Sequence, residues 1–244
     1  RMNASKLHPE IELTAPVSLC LPDGRLNRDA VGWSRHPLHA CNLPPSLERK
    51  KRWNYWCLNT DRMLFSATIA DVDHFVLAFV YLFDFKTRRL VERTAILPPS
   101  AMELPAHVRA DAVFDQDGCR VAFTEEKRGT RIAVTWPDFD DAPLSADLLV
   151  ERAPSHETMN VVIPWSRQRF QFTSKQNCLP VTGTINVGGD KIRLARKDGA
   201  FACLDFGRGV WKNRTAWNWG SASAALPDGR RLGLQLGAKW TDGT

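Results

Sequence analysis

From about residue 62 onward, apolar positions recur every second residue, in short runs separated by polar turns. Side chains of an extended chain point alternately to two faces, so this period marks half-buried strands. "RMLFSATIAD" and "DHFVLAFVYLFDF" predict a hairpin closed by a short Asp-containing turn. Residues 109–136, "RADAVFDQDGCRVAFTEEKRGTRIAVTW", predict a three-stranded meander with turns at "DG" (117–118) and "KRG" (127–129). "GTINVGGDKIRLA" and "AALPDGRRLGLQLG" repeat the design with "GGD" and "PDG" turns, where glycine supplies the positive φ that a Cβ would oppose. A helical period is hard to find. "PLSADLLVERA" (143–153) reads equally as a short helix or a strand, and "LPPSAMELP" is a Pro-punctuated loop. So many hairpins at close spacing predict a mostly antiparallel all-β barrel or sandwich.

The first 60 residues break this pattern. "GWSRHPLHACNLPPSLERKKRWNYW" carries three Pro, three Trp and two His with little strand periodicity. A long irregular connection of this kind is usually functional or lies across a barrel as a lid. A second change of composition, around "PDFDDAP", places an expected domain boundary near residue 150. Residues 1–150 then hold the N-terminal segment and a first barrel, and residues 151–244 a second barrel. Arg1 precedes Met2, and the chain stops at "KWTDGT" directly after a strand. A fragment lacking its last barrel strands is therefore expected.

Composition narrows the class. With 43% hydrophobic and 25% charged residues the 244-residue chain is an ordinary globular sequence. Its longest apolar run, "FVLAFVYLF" (75–83), is far short of the about 20 residues a membrane helix needs. No secretory signal opens the chain. The net charge of +6 owes much to "ERKKRW" (48–53). That run reads as a solvated loop, with contact to an anionic ligand, nucleic acid or membrane surface as the alternative. No nucleic-acid module surrounds it, so no nucleic-acid partner is expected. The six Cys form neither a CxxC nor a Cys/His cluster; Cys119, Cys178 and Cys203 fall inside apolar strand patterns as buried thiols. A reducing, cytoplasmic compartment follows, in which the sequons at Asn3 and Asn213 have no role. Oligomeric state is not legible.

Three blocks carry a family resemblance: "GRLNRDAVGWSRHPLHACNL" with "RKKRWNYW", "LFSATIADVDHFVLAFVYLFD", and "DFGRGVWKNRTAWNWGSASAALPDGRRLGLQLGAKWTDGT". They resemble the bacterial family known as domain of unknown function 2804, from about residue 16 to the end. The resemblance implies a chain that continues past Thr244. It also implies, more distantly, an AttH-like, calycin-related fold: two packed, lipocalin-like antiparallel β-barrels, the second incomplete here. Relatives of that fold include carotenoid hydratases and tocopherol cyclase, which act on apolar molecules. Fold analogy does not transfer an activity.

Candidate chemistry concentrates in a few places. In residues 205–223, "DFGRGVWKNRTAWNWGSAS", alternation sets Trp217 and Trp219 on one face and Asn218 on the other, with Trp211 and Arg208 near a preceding turn. The indoles either fill a barrel, with Arg208 and Asp205 paired at one end, or wall a barrel mouth where Asp205, Arg208 and Asn218 orient a ligand. Trp33, Trp53 and Trp56 extend the candidate wall, and Lys239, Trp240 and Asp242 could complete its rim. In "GWSRHPLH", Arg35 and His39 offer a cation and a proton carrier; the alternative is a hydrogen-bonded structural histidine. His36 and His39 lack a third ligand, so no metal is expected. In "ADVDH", Asp71 ends an apolar strand; it either caps a turn or, in an apolar mouth, protonates an alkene. GxSxG, P-loop, GxGxxG and HExxH motifs are absent, and nothing around "DFG" supplies a kinase. No cofactor is expected. The readings left open are a binding protein for a lipid- or isoprenoid-like apolar small molecule, a cofactor-independent hydratase, cyclase or isomerase using Asp71 or His39 with Arg35 and Arg208, and a structural or interaction protein with a filled barrel.

Overall fold

The computed structural model describes residues 10–212 and 214–239. In chain order the strands are β1 (Val17–Ser18), β2 (Trp33–Ser34), β3 (His39–Ala40), β4 (Lys50–Asn59), β5 (Met63–Asp71), β6 (Val76–Asp84), β7 (Arg89–Leu97), β8 (Ala112–Gln116) and β9 (Cys119–Glu126). They continue as β10 (Gly129–Trp136), β11 (Leu144–Glu151), β12 (Met159–Ile163), β13 (Phe170–Val187), β14 (Asp190–Leu194), β15 (Phe201–Val210), β16 (Asn218–Ala225) and β17 (Arg231–Ala238). Among the described residues, two single 3-10 turns, Arg28–Ala30 and Arg196–Asp198, interrupt them.

Thirteen strands form one barrel-like, nearly closed sheet in the order β7-β6-β5-β4-β15-β13-β11-β10-β9-β8, with β12, β14 and β2 joined at its side. The predicted hairpins are all present. Asp117 and Gly118 (φ 51° and 82°) turn β8 into β9, and Gly188 and Gly189 (φ 58° and 97°) turn β13 into β14. The ambiguous stretch 143–153 forms strand, because β10 and β13 pair with β11 along its two edges.

The long β13 divides the sheet into two wings. Its first part pairs with β12 and β15, its second with β11 and β14. Between them, Asn177 and Cys178 form a bulge where the register with β15 shifts, and Cys178 takes φ 56°. An extra residue bends a strand and raises its twist, which lets one chain segment serve two wings. The wings close over one core. Trp56, Phe65, Ile69, Val80, Phe172 and Phe206 from the first wing meet Phe114, Phe123, Val134 and Leu148 from the second.

Two expectations change here. Lys50–Asn59 is an inner strand between β5 and β15, although "ERKKRW" reads as a solvated loop. Its cations are tolerated because each finds a partner: Lys50 Nζ donates to the Pro45 carbonyl at 2.6 Å, Lys51 Nζ lies over the Trp211 ring, and Arg52 pairs with Asp71. Second, the N-terminal segment is not a lid. Leu19, Leu26, Ala30 and Leu43 insert singly into the common core, a mode of packing that leaves no period in the sequence.

Beyond β15, the chain crosses from Trp211 to Trp217 and forms the β16–β17 ribbon. The bulge holds this ribbon in place. Asn177 Nδ2 donates to the carbonyls of Ala222 and Leu234, both at 3.0 Å, and Ser223 Oγ donates to Asn177 Oδ1 at 2.6 Å.

Candidate functional site

One face of the first wing packs into the core; the opposite face builds a pocket of about 470 Å³. Strand register fixes which residues reach it. Across β13, β15, β4, β5 and β6, one row reads Lys175, Asp205, Tyr55, Thr68, Phe79. The next row reads Thr173, Gly207, Trp53, Ala70, Leu77. Gln171, Gly209 and Lys51 begin a third. Trp211, Trp217 and Trp219 close the space from the other side.

"DFGRGV" is therefore a strand of two faces, not a turn. Asp205, Gly207 and Gly209 face the pocket while Phe206, Arg208 and Val210 face the core. The glycine at 207 is required by a close approach: a Cβ there would lie 2.1 Å from Trp53 Cζ2 and 2.2 Å from Cε2. The Trp53 indole lies across the bare backbone and donates from Nε1 to Asp205 Oδ1 at 3.1 Å.

The aromatic rings form two sets, one around Trp211 and one around Tyr55. Trp211 has its ring centroid 5.6 Å from Trp53, 5.1 Å from Trp165 and 5.7 Å from Trp217, and Tyr55 meets Trp219 edge-on at 5.9 Å. Two further indole N–H groups of the pocket wall are satisfied by protein: Trp211 Nε1 by Gln171 Oε1 and Trp219 Nε1 by Gln235 Oε1, both at 2.7 Å. The faces thus remain for a ligand while the polar edges are fixed. Polar groups sit at two ends. Lys51 Nζ lies 5.2 Å from the Trp211 ring centroid, and Lys175 Nζ lies 5.1 Å from that of Trp219. Lys175 and Asp205 also form a largely buried ion pair, and Asp205 accepts from Thr173 Oγ1 at 3.4 Å.

A polar patch borders the pocket on the same face. Cys57 and Cys203 are direct cross-strand partners, and the Cys57 thiol lies 3.6 Å from the Tyr81 hydroxyl, which is 2.7 Å from that of Tyr55. The hydrogen bond from Cys203 pulls the Cys57 thiol down to about 7, against its burial, and the same contact pushes Cys203 up.

With this geometry in place, comparison with known proteins adds the lineage. A family model described as "Domain of unknown function (DUF2804)" matches residues 10–244. The chain belongs to this family. No curated protein matches the sequence. Kievitone hydratase from Nectria haematococca, a solved structure, is similar at 8% identity and a TM-score of 0.38. That match covers 79% of this chain, and the chain spans 62% of the length of the hydratase structure.

For this family member the pocket gathers five of the residues expected from sequence: Trp53, Asp205, Trp211, Trp217 and Trp219. The others lie elsewhere. Arg208 is on the core face, fully buried and apart from Asp205, because residues three apart on a strand point to opposite sides. It donates to the carbonyls of Pro105, Trp53 and Gly207 and to Asn54 Oδ1, at 2.8–3.1 Å. Burial pulls its pKa down to about 9, so it stays a cation at neutral pH. His39 is also in the core, its Nε2 2.9 Å from the Ala30 carbonyl and its ring 4.6 Å from Phe172; burial lowers its pKa. Trp56 is core as well, 6.5 Å from Phe123.

Asp71 does not line the pocket. It accepts from Arg52 Nε at 3.0 Å and from the Asp73 backbone N–H at 2.9 Å, so it anchors the β5–β6 turn. Arg35 is on the surface between Glu12 and Glu157, stacked 5.2 Å from the Trp33 ring. Asn218 and Lys239 are exposed. Trp240 and Asp242, like the sequon asparagines Asn3 and Asn213, lie outside the described residues.

Sequence reasoning missed Lys51, Tyr55, Thr68, Phe79, Gln171, Thr173 and Lys175. A signal for two of these wall positions was present: Lys51 and Tyr55 alternate with the expected Trp53 in "KKRWNY" as strand residues do. No group of three or more His, Cys, Asp or Glu among the described residues could hold a metal ion. None of the described helices is long and apolar enough to cross a membrane.

Proposed function

We propose that this protein binds a largely apolar small molecule, of lipid or isoprenoid type, in the tryptophan-walled pocket. The observation that carries the reading is the set of indole faces around about 470 Å³ of space, with the N–H groups of Trp53, Trp211 and Trp219 already bonded to protein. Such walls reward apolar surface and leave few donors for a polar ligand. Lys51 at one end and the Lys175–Asp205 pair at the other favour a molecule with one polar terminus.

The test begins with organic extraction of purified protein and mass spectrometry for a co-purifying apolar molecule. In parallel, the neutral probe N-phenylnaphthylamine is titrated by fluorescence. Trp217, 56% exposed, contributes little to the core, so Trp217→Ala should keep the fold. Its probe affinity should fall about tenfold, equivalent to about 1.4 kcal/mol. Neither an extracted molecule nor saturable probe binding by the parent protein would sink the reading.

A second reading, a cofactor-independent hydratase, cyclase or isomerase, is favoured by one feature: a carboxylate and an ammonium set in the same aromatic pocket. On that reading the proton-transfer pair is Asp205 and Lys175, since Asp71 and His39 are committed to structural bonds. Asp205→Asn that keeps probe affinity and abolishes turnover of an extracted ligand would favour the enzyme; unchanged ligand chemistry in both proteins would favour the carrier.

A further inference from the structure

A second cavity, of about 320 Å³, lies at the end of the second wing that adjoins the Asn177–Cys178 bulge and shares no lining residue with the aromatic pocket. It is formed where the β9–β10 turn, the segment after β11, the 3-10 turn 196–198 and the start of β17 come together. Its lining charges are Lys127, Arg128, Arg152, Arg196 and Arg231 against Glu151 alone. Glu151 already serves two of these cations, pairing with both Arg128 and Arg196. Arg152 is held from behind, donating to Glu125 Oε2 at 3.0 Å, Thr130 Oγ1 at 2.8 Å and Gln176 Oε1 at 3.2 Å. Arg231 donates to a neutral carbonyl, that of Cys178, at 3.3 Å.

The surroundings register the excess of positive charge. Arg109 is pulled down by its own burial and then by Arg152, and His156 by burial and then by Arg231, Arg152 and Arg109. Two buried nitrogens in this neighbourhood, His156 Nε2 and Nε2 of the fully buried Gln176, have no hydrogen-bond partner among the described residues. An amide N–H can be completed only by an acceptor. A concave site with four guanidinium groups and one shared carboxylate concentrates anions, and the planar fork of arginine matches the paired oxygens of a phosphate group.

We propose that this cavity is a second ligand site, taking the phosphate group of a small molecule. The ligand chemistry is a tetrahedral oxyanion, either free phosphate or a phosphate monoester. Arg196 and Arg231 would contact it from the open side and Arg152 from the buried side. The proposal does not depend on what the aromatic pocket holds.

The test is isothermal titration of the whole protein with inorganic phosphate, with glycerol phosphate as the monoester, and with sodium chloride at matched ionic strength. Saturable binding of phosphate or the monoester, absent for chloride, is expected; the tighter of the two identifies the source of the group. The double variant Arg196→Ala/Arg231→Ala removes two exposed side chains and should weaken that binding by roughly tenfold or more. Arg93→Ala/Arg120→Ala, with the same change of net charge away from the cavity, should leave it unchanged. Thermal melting of both variants checks that each is folded. Equal heats with chloride, or equal losses in the two double variants, would overturn the proposal.

Discussion

Gly207→Ala is the sharpest perturbation of the candidate site, because it adds one methyl group where the structure has no room. The new Cβ would lie 2.1–2.6 Å from three atoms of the Trp53 ring. Strand pairing on both sides of β15 holds the backbone, so the indole must move. Movement breaks the 3.1 Å bond to Asp205 and the contact with Trp211 at 5.6 Å. Overpacking of this kind costs about 1–3 kcal/mol. Losing a hydrogen bond to a carboxylate moves the value toward the top of that range. For a chain of this size each kcal/mol lowers the melting temperature by about 2–4 °C.

Urea unfolding followed by far-ultraviolet circular dichroism measures the loss, and a double-mutant cycle assigns it. In a Trp53→Ala background the methyl group meets no ring, so Gly207→Ala should become neutral or stabilising by about 0.5 kcal/mol, as alanine replaces the more flexible glycine in a strand. The displaced ring also enters the pocket, so the single variant should bind N-phenylnaphthylamine more weakly. Equal costs of Gly207→Ala in the two backgrounds would refute the claim that Trp53 is what the glycine accommodates.

Three further outcomes follow from other contacts. Asn177→Ala removes the bonds that tie both strands of the β16–β17 ribbon to the bulge; faster hydrogen exchange across 218–238 and weaker probe binding are expected, while the core strands stay protected. Arg208→Met leaves the Pro105, Trp53 and Gly207 carbonyls and the Asn54 amide oxygen without their donor, at a cost of about 3 kcal/mol or more in urea unfolding. His39 has its pKa lowered from 6.5 by burial, so the unfolded chain takes up its proton first as pH falls. Its share of stability is whole above pH 6.5 and is lost on acidification toward the folded-state value. His39→Gln should flatten that part of the pH–stability curve, with His156, shifted in the same direction, leaving a residual slope.

Local chemistry was legible in the sequence wherever it depended on neighbours along the chain. The alternation of "FVLAFVYLF" fixed a strand with Val76, Ala78 and Val80 on one face and Leu77 and Phe79 on the other. The Asp-Gly and Gly-Gly turns fixed their hairpins because only certain residues accept positive φ at low cost. The aromatic wall was half visible, since Trp217 and Trp219 alternate as strand residues do.

What alternation cannot state is which face becomes core. "DFGRGV" has two faces of mixed character, and Arg208 is tolerated in the core because Pro105, Trp53 and Asn54, far away in sequence, supply acceptors for it. "ERKKRW" looked solvated until Asp71 and the Trp211 ring gave its cations partners. Tertiary structure made those decisions, because the cost of burying a charge or a bare glycine backbone is set by groups brought close in space. The composition of the segment alone does not set it.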